Sequence, residues 1–245
     1  MGERGAERRK AAGNTVDAVI FDWGGTLTPY HRIDYLETWR EIAAVLDPVR
    51  PDELARALLG AEEEMWRRAR EDHGSGHMSE VCARAGIPFD DAYREAFVRT
   101  WEAHTYTDPD AEPLLRGLRE RGLAVGLLSN TTWPRAWHDE FLARDGVFEL
   151  FDATTYTSEL DHVKPHAEAF LAAMHDLGAQ EPGRVVFVGD RAYDDVHGAA
   201  RVGMRTVLVP HSDIPDTERW GAPAEPDAVV QRLTDLLPLV DAWRR

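Results

Sequence analysis

Asp22 ends a mostly apolar run, residues 16–21, and is followed after one residue by Gly24, Gly25 and Thr26. A run of this kind is typical of a buried strand that places an acid at the carboxyl edge of a sheet. Ligands of open α/β sheets bind just outside these strand ends, and a glycine turn lets backbone N–H groups approach an anionic ligand closely. Asp22 is therefore the first candidate for chemistry, as a carboxylate that could attack an electrophilic atom.

Three further segments place polar side chains after an apolar run or before an amphipathic stretch, namely Ser129 with Asn130, Lys164, and Asp190 with Asp194 and Asp195. Strands that end in such residues are common in α/β proteins, so each segment alone is a weak signal. Lys164 is distinctive because the sequence contains only one other lysine, Lys10, among 28 lysines and arginines. This arginine-rich chain has a lysine here, and its compact ammonium is suited to neutralising a phosphoryl group as a point charge.

Taken in order, the four segments resemble the four motifs of the haloacid dehalogenase superfamily, whose first motif is usually written DxDGT. The resemblance covers residues 16 to about 210 apart from an inserted segment. It implies an α/β fold, with a Rossmann-like parallel sheet, helices on both faces of the sheet, and an α-helical cap inserted after the first strand. In the family this cap is mobile and covers the active site.

The resemblance assigns catalytic roles to Asp22, Ser129 and Lys164. Asp22 would attack phosphorus in line and form an aspartyl-phosphate that water later cleaves. Ser129 and the amide N–H groups after it would bind the phosphoryl oxygens, and Lys164 would neutralise their charge. The full set of predicted substrate-binding residues is Gly25, Thr26, Ser129, Asn130 and Lys164.

Mg²⁺ is the cofactor that the resemblance implies. Asp22, the backbone carbonyl of Gly24 and Asp190 would hold the ion, a hard cation that takes one or two carboxylates plus substrate oxygens. Asp195 would hold a metal-bound water, whereas the neighbouring Asp194 is expected to cap the following helix. The ion would offset the repulsion between a carboxylate nucleophile and a phosphate dianion.

The first motif departs from the family pattern at Gly24, where the superfamily's phosphatases carry a second aspartate. That aspartate protonates the leaving alcohol and later activates water, a contribution of about a hundred- to ten-thousand-fold. A substitute acid could come from His31 or Asp34, or more distantly from His73 or His77. Alternatively, the leaving group needs no proton, as in an acyl phosphate or a phosphoanhydride.

Two other branches of the superfamily also lack this aspartate. Phosphonoacetaldehyde hydrolases have a small residue there and a Schiff-base lysine in the cap, but residues 30–107 contain no lysine, which excludes that chemistry as known for the branch. Haloacid dehalogenases have a bulky aromatic residue there, and Gly24 lacks it. Tyr30, Trp66, Trp101 and several cap arginines could nevertheless line a carboxylate-binding pocket.

The spacing of apolar residues predicts the elements that position these side chains. Strands that alternate with helices imply a parallel sheet, and the expected strands are residues 17–22, 123–128, about 152–155, 185–189 and 205–209. Apolar residues that recur at three and four positions predict helices over residues 35–46, 53–66, 77–85, 91–101, 111–121, 166–177 and 226–243. The predicted domains are a disordered leader (1–14), the core (15–29 and 108–245) and the helical cap (30–107).

Composition limits the classes of function. The chain has 245 residues, 43% of them hydrophobic, and no apolar stretch near the roughly eighteen residues that a membrane span needs. A formal net charge of −16 argues against nucleic acid or an anionic membrane surface as a partner. The single cysteine, Cys82, excludes an internal disulfide, and the polar start lacks an apolar signal region, so a cytoplasmic location is expected.

The sequence therefore predicts a cytoplasmic, Mg²⁺-dependent phosphatase that acts on a small anionic metabolite through an aspartyl-phosphate. One alternative is a haloacid dehalogenase, in which Asp22 attacks carbon and no metal is needed. Another is a non-catalytic member that binds phosphate ligands or a partner protein. Neither the substrate nor the oligomeric state follows from the sequence.

Overall fold

The computed structural model describes residues 15–210, 220–221 and 224–244. The predicted leader, residues 1–14, lies outside the described residues. Six parallel strands form one sheet: β1 Ala18–Phe21, β2 Ala124–Ser129, β3 Ala153–Tyr156, β4 Val185–Gly189, β5 Arg205–Leu208 and β6 Ala228–Val229. Their spatial order is β3-β2-β1-β4-β5-β6, which confirms the predicted Rossmann-like parallel sheet.

β1 lies between β2 and β4, and every residue of β1 is buried. A strand covered on both faces needs a continuous apolar run, which the sequence Ala-Val-Ile-Phe supplies. Phe21 is in register with Leu127 on one side and Val188 on the other. The residues that follow the three strands are therefore brought together at one edge of the sheet.

The sixth strand corrects the prediction of one terminal helix over residues 226–243. Residues 228–229 pair with β5, and the terminal helix begins only at Leu236. The backbone N–H of Asp227 bonds to the carbonyl of Thr206 at 3.0 Å, and that of Val230 bonds to Leu208 at 3.0 Å. The short apolar segment satisfies its backbone groups on the open edge of the sheet, which its helical periodicity does not reveal.

Four helices follow β1 as predicted: α1 Tyr35–Leu46, α2 Pro51–Asp72, α3 Met78–Ala85 and α4 Asp91–Trp101. The Asp90 carboxylate caps α4 by accepting the N–H of Tyr93 at 3.0 Å. α2 runs six residues beyond the predicted end at Trp66, because its periodicity continues through buried Ala69 and Arg67 pairs with Glu64 at 2.7 Å on the exposed face.

The remaining helices lie on both faces of the sheet: α5 Ala111–Glu120, α6 Arg135–Arg144, α7 Ala167–Asp176, α8 Gly198–Val202 and α9 Leu236–Trp243. Side chains of α7 and α8 pack with β1 and β4 in one hydrophobic cluster. Side chains of α5, α6 and α9 belong to a second cluster, which also contains the buried residues of α1 to α4. The predicted helices on both faces are thus present.

The helices between β1 and α5 dock on the sheet domain through aromatic rings. Phe97 of α4 lies 5.1 Å from both Trp133 and Trp137, measured between ring centroids. Trp101 lies 5.5 Å from Trp133 in an edge-to-face arrangement, which is favourable for aromatic pairs. Division of the chain into a core and a cap at residues 30 and 108 remains a prediction, although the helices themselves are as expected.

Candidate active site

The turn after β1 fixes the position of Asp22. Its backbone N–H bonds to the carbonyl of Val188 at 2.9 Å, and its Oδ2 accepts a hydrogen bond from the Thr26 hydroxyl at 3.2 Å. The carbonyl of Trp23 accepts the N–H groups of residues 26, 27 and 28 and closes the turn. Thr26 is fully buried, so its hydroxyl orients the Asp22 carboxylate; a direct contact of Thr26 with substrate stays a prediction.

The two glycines of this turn are under opposite constraints. Gly25 has a φ of +89°, and a Cβ at this position would lie 2.1 Å from Oδ2 of Asp190, so no other residue fits. Gly24 does not adopt a positive φ, and a Cβ there would have no atom within 4 Å. Gly24 is exposed to the cavity described below, so the missing second aspartate of the motif leaves open space.

Lys164 joins two carboxylates at the carboxyl edge of the sheet. Its Nζ donates to Oδ1 of Asp22 at 2.6 Å and to Oδ1 of Asp195 at 2.7 Å, and all three side chains are buried. Burial alone would lower the pKa of Lys164, but the charges of Asp195 and Asp22 outweigh it and hold this pKa above its ordinary value. Burial raises the pKa of Asp22 against the opposing charge of Lys164.

Asn130 positions the Lys164 segment. Its Nδ2 donates to the carbonyl of Lys164 at 3.0 Å, and the backbone N–H of Lys164 donates to its Oδ1 at 2.8 Å. The two hydrogen bonds occupy the side-chain amide and tie β2 to the loop before α7. Ser129, at the end of β2, is buried and lines the cavity.

Asp190 and Asp195 follow β4, and Asp195 lies within a π-helix, Ala192–His197, an element frequent at functional sites. Oxygens of Asp22, Asp190 and Asp195 lie within 4.8 Å of one another. Both oxygens of Asp190 are buried without a hydrogen-bond partner, and burial together with the charges of Asp22 and Asp195 raises its pKa well above the ordinary value. Unpaired buried oxygens in a net negative cluster fit a divalent cation.

Asp194 does not cap a helix as expected. Neither the π-helix nor α8 receives a hydrogen bond from a capping side chain. Asp194 instead lines the cavity, and its Oδ1 is buried without a partner. Burial and the charge of Asp195 raise the pKa of Asp194 to about 7. The π-helix provides the reason, because its wider turn directs two consecutive acids to the same edge of the sheet.

A cavity of about 570 Å³ lies between the inserted helices and this edge. We call the group Asp22, Lys164, Asp190 and Asp195 the catalytic floor. Predicted site residues that line the cavity are Asp22, Gly24, Gly25, Ser129, Asn130, Lys164 and Asp195. Six further lining residues, which we call the aromatic wall, are Tyr30, Tyr35, Trp66, Trp101, Trp133 and Trp220.

The candidates for a substitute acid are separated by the fold. His31 lines the cavity, and its ring centroid lies 5.9 Å from that of His104, a lining residue that sequence reasoning missed. Asp34 accepts the N-terminal hydrogen bond of α1, and His77 does the same for α3. His73 ends α2 in a left-handed conformation. Asp34, His73 and His77 do not line the cavity, so His31 is the candidate that the geometry keeps.

Comparison with known families matches residues 16–203 to the haloacid dehalogenase-like hydrolase model, and the chain belongs to this family. A glyceraldehyde 3-phosphate phosphatase of Methanopyrus kandleri is 28% identical over 235 residues, which cover 92% of this chain and 97% of the relative. The pyrophosphatase PpaX of Bacillus cereus is 30% identical over 128 residues, or 52% of this chain and 56% of that protein. The chain is therefore a hydrolase, and these relatives support a phosphatase.

Solved structures show the same fold. A HAD phosphatase from Thermococcus onnurineus superposes with a TM-score of 0.65 at 23% identity, over 94% of this chain and all of that chain. The L-2-haloacid dehalogenase from Xanthobacter autotrophicus gives 0.63 at 21% identity, over 93% of this chain and 99% of the other. Within the part of the chain that the structure describes, no helix has the length and apolar character to cross a membrane.

Proposed function

We propose that this chain is a Mg²⁺-dependent phosphatase that hydrolyses a small phosphorylated metabolite through an aspartyl-phosphate on Asp22. The observation that carries this proposal is the catalytic floor, in which Lys164 bridges Asp22 and Asp195 beside the unpaired carboxylate of Asp190. Nucleophile, cation and candidate metal ligands thus meet at one end of a cavity. The relatives named for phosphatase and pyrophosphatase activity support phosphoryl chemistry.

In the first step, an oxygen of Asp22 forms a bond to phosphorus while the bond to the leaving oxygen breaks and its electron pair departs with that oxygen. Lys164 carries three ammonium protons, of which two are donated to Asp22 and Asp195. The third is left for a phosphoryl oxygen, and Ser129 and the backbone of Asn130 bind the others. Water then attacks phosphorus, the bond to Asp22 breaks, and both protons of the water remain on the released phosphate.

Asp22, the backbone carbonyl of Gly24 and Asp190 would hold Mg²⁺, with Asp195 acting through a bound water. When bound, the cation reduces the repulsion between the carboxylate nucleophile and the phosphate dianion. Both Asp195 oxygens already accept hydrogen bonds, one from Lys164 and the other from the backbone N–H of Arg191 at 2.9 Å. The unpaired carboxylate of Asp190 is the one best suited to direct ligation.

Asp22→Asn tests the nucleophile, because the amide keeps the shape of the carboxylate but does not attack phosphorus. We expect phosphate release to fall by at least about a hundredfold with an unchanged circular dichroism spectrum. Asp17→Asn is the matched control, since Asp17 is exposed in the same segment and should retain full activity. An Asp22→Asn protein with more than about a hundredth of wild-type activity would contradict the assignment of the nucleophile.

Mg²⁺ tests the metal site through stability. At a hundredfold excess over its dissociation constant, the ion should stabilise the native state by about 2.7 kcal/mol and raise the melting temperature by roughly 5–10 °C. The increment should be much smaller in Asp190→Ala and unchanged in Asp161→Ala, whose side chain is exposed. The increments must be compared rather than the absolute melting temperatures, because removal of Asp190 also relieves repulsion with Asp22. Equal increments in wild type and Asp190→Ala would exclude this site.

The two alternative functions give different results in the same assays. A dehalogenase would release halide from 2-haloacids and keep its activity in EDTA. A non-catalytic member would bind phosphate ligands without releasing product.

A further inference from the structure

The aromatic wall concentrates tryptophan at one cavity. Five of the eight tryptophans in the chain line this cavity, namely Trp66, Trp101, Trp133 and Trp220 of the wall and, in addition, Trp23. Ile33 and Leu59 add aliphatic surface to the same lining. Aromatic side chains provide large, flat apolar surfaces that stack on a planar ligand. The space beyond the catalytic floor is therefore shaped for a flat apolar group and contrasts with the polar surroundings that a sugar phosphate needs.

The wall is held in place before a ligand binds. The Glu62 carboxylate accepts a hydrogen bond from Nε1 of Trp39 at 2.9 Å, which fixes this carboxylate beside Trp66, while burial raises the pKa of Glu62. Trp101 is fixed by the contact with Trp133 described above. Rings that are already ordered lose little conformational freedom on binding.

Two arginines hold Trp220 against the cavity from opposite parts of the chain. Arg70 of α2 lies over the Trp220 ring at 5.8 Å from its centroid, and Arg191 lies at 5.3 Å. Such cation–π contacts join the inserted helices to the segment after β4. Trp220 therefore adds to the wall an indole that comes from neither the segment after β1 nor the segment after β2.

The charges around the cavity oppose a second anionic group on the substrate. Carboxylates of the described lining residues are Asp22, Glu62, Glu63, Asp194 and Asp195, against the cations Lys164, Arg70 and Arg191. Lys164 already bridges two carboxylates, and both arginines stack on Trp220. Apart from the phosphoryl group itself, the substrate should therefore carry no negative charge.

Gly24 constrains the leaving oxygen. No side chain projects from this position towards the phosphoryl site, so no aspartate is present to protonate an alcohol as it departs. A phenol is a far stronger acid than an alcohol. The aryl oxygen therefore leaves phosphorus as a phenolate and needs no proton to do so. The aromatic wall and the missing aspartate thus favour the same class of leaving group, whereas proton donation by His31, which also lines the cavity, would remove the second preference and raise kcat for benzyl phosphate to that for phenyl phosphate.

We propose that the substrate is a phosphate monoester of an uncharged aromatic hydroxyl compound, whose ring stacks on the aromatic wall and departs as a phenolate. This proposal rests on the phosphatase function proposed above. The bond from Asp22 to phosphorus forms, the bond from phosphorus to the aryl oxygen breaks with its electron pair, and solvent protonates the released phenolate.

The test compares substrates that separate the ring from the acidity of the leaving group. Phenyl phosphate has an aromatic ring and an acidic leaving group, whereas benzyl phosphate has the ring without the acidic leaving group. Acetyl phosphate and pyrophosphate have an acidic leaving group but no ring. Glycerol phosphate has neither a ring nor an acidic leaving group. We expect phenyl phosphate to give the highest kcat/KM. Benzyl phosphate should have a similar KM and a kcat at least about a hundredfold lower, the scale of missing general-acid catalysis. A kcat/KM for glycerol phosphate or pyrophosphate equal to that for phenyl phosphate would overturn the substrate class.

Substitutions of the wall residue Trp66 provide a second test, in which KM is compared between an aromatic and a non-aromatic substrate. Trp66→Ala should raise KM for phenyl phosphate by about three- to tenfold, the range of aromatic pair energies, and Trp66→Phe should restore most of the loss. Neither variant should change KM for acetyl phosphate, which has no ring to stack. Trp243→Phe is the control, because Trp243 lies on α9 and does not line the cavity. An equal effect of Trp66→Ala on both substrates would indicate structural damage and would contradict the stacking role.

Binding without turnover separates the two proposals. Phenylphosphonate, which is not hydrolysed, should bind at least about tenfold more tightly than methylphosphonate by calorimetry, and Trp66→Ala should reduce this ratio. If this preference is found but no phosphate ester is hydrolysed above the Asp22→Asn background, the aromatic ligand class holds and the phosphatase function fails. If esters are hydrolysed without any aromatic preference, the phosphatase function holds and the substrate class fails.

Discussion

The aromatic wall and three of the four floor residues, all but Asp190, line the same cavity, but the floor and the wall are built in different ways. Asp22 and Asp190 directly follow strands, Asp195 lies in the π-helix after β4, and hydrogen bonds of 2.6 and 2.7 Å from Lys164 fix two of the acids. Wall residues come from α1, α2, α4, the segments after β1 and β2, and the distant Trp220, and they are held mainly by ring contacts. This difference agrees with the two proposals above, in which the floor would carry out the phosphoryl chemistry and the wall would select the molecule on which that chemistry acts.

Lys164→Met would remove the cation that joins Asp22 and Asp195 in the floor and would leave the wall residues unchanged. Removing one partner of a buried ion pair leaves uncompensated charge, so we expect a loss of about 3–5 kcal/mol in the free energy of unfolding at pH 7. Urea unfolding measures this loss. Arg116→Met is the control, because it removes an exposed pair with Glu112 and should cost at most about 0.5 kcal/mol. A loss for Lys164→Met as small as that of the control would show that the floor is not held by this cation.

Asp194→Asn would sharpen the distinction by removing an acid that lies next to the floor. The pKa of Asp194 is raised from 3.8 to about 7, so between these values the folded state binds more protons than the unfolded state. The contribution of Asp194 to stability therefore falls as the pH rises through this window and is lowest above pH 7. Relative to wild type, Asp194→Asn should gain about 2–4 kcal/mol between pH 4 and pH 8.

Urea unfolding in EDTA at both pH values measures this gain. Asp161→Asn, with an exposed side chain, should show no pH-dependent difference from wild type. A difference between Asp194→Asn and wild type that is the same at pH 4 and pH 8 would mean that folding does not raise the pKa of Asp194.

Gly24→Asp would give the floor the acid that the family motif usually supplies. Because Gly24 does not have a positive φ and a Cβ there meets open space, the substitution should not strain the turn. Turnover of alkyl phosphates should rise by about ten- to a thousandfold, below the full range for general-acid catalysis because the surroundings were not shaped for it. Phenyl phosphate should gain far less. A stable, metal-binding variant with no selective gain on alkyl phosphates would argue against a phosphate monoester pocket.

Local sequence patterns predicted most of the floor. An apolar run that ends in an acid specifies a buried strand and the side chain at its end, which is why oxygens of Asp22 and Asp190 lie close together at one edge of the sheet. The bridge from Lys164 to two carboxylates depends on tertiary packing between segments 142 and 31 residues apart, so spacing alone indicated only its neighbourhood. The side chain of Asn130 holds the Lys164 segment in place, a role that spacing does not reveal, and substrate binding at Asn130 stays a prediction.

The parts that the sequence did not predict depend on geometry that periodicity does not encode. The orientation of Asp194 follows from a π-helix, which differs from an α-helix by one hydrogen-bond step. The position of Trp220 depends on arginines from two distant segments. The short strand β6 forms because an open sheet edge is nearby, and its helical pattern gave no sign of that edge.

The contrast between the two glycines after Trp23 has a consequence for how this protein could change over generations. Gly25 does not tolerate substitution, because any side chain there would collide with Asp190. Gly24 is next to it in sequence and unconstrained by packing, and two of the glycine codons differ from an aspartate codon by a single base. If the proposed substrate class holds, a single point mutation at position 24 would shift the protein from aryl-directed towards alkyl-directed hydrolysis while the fold stays intact.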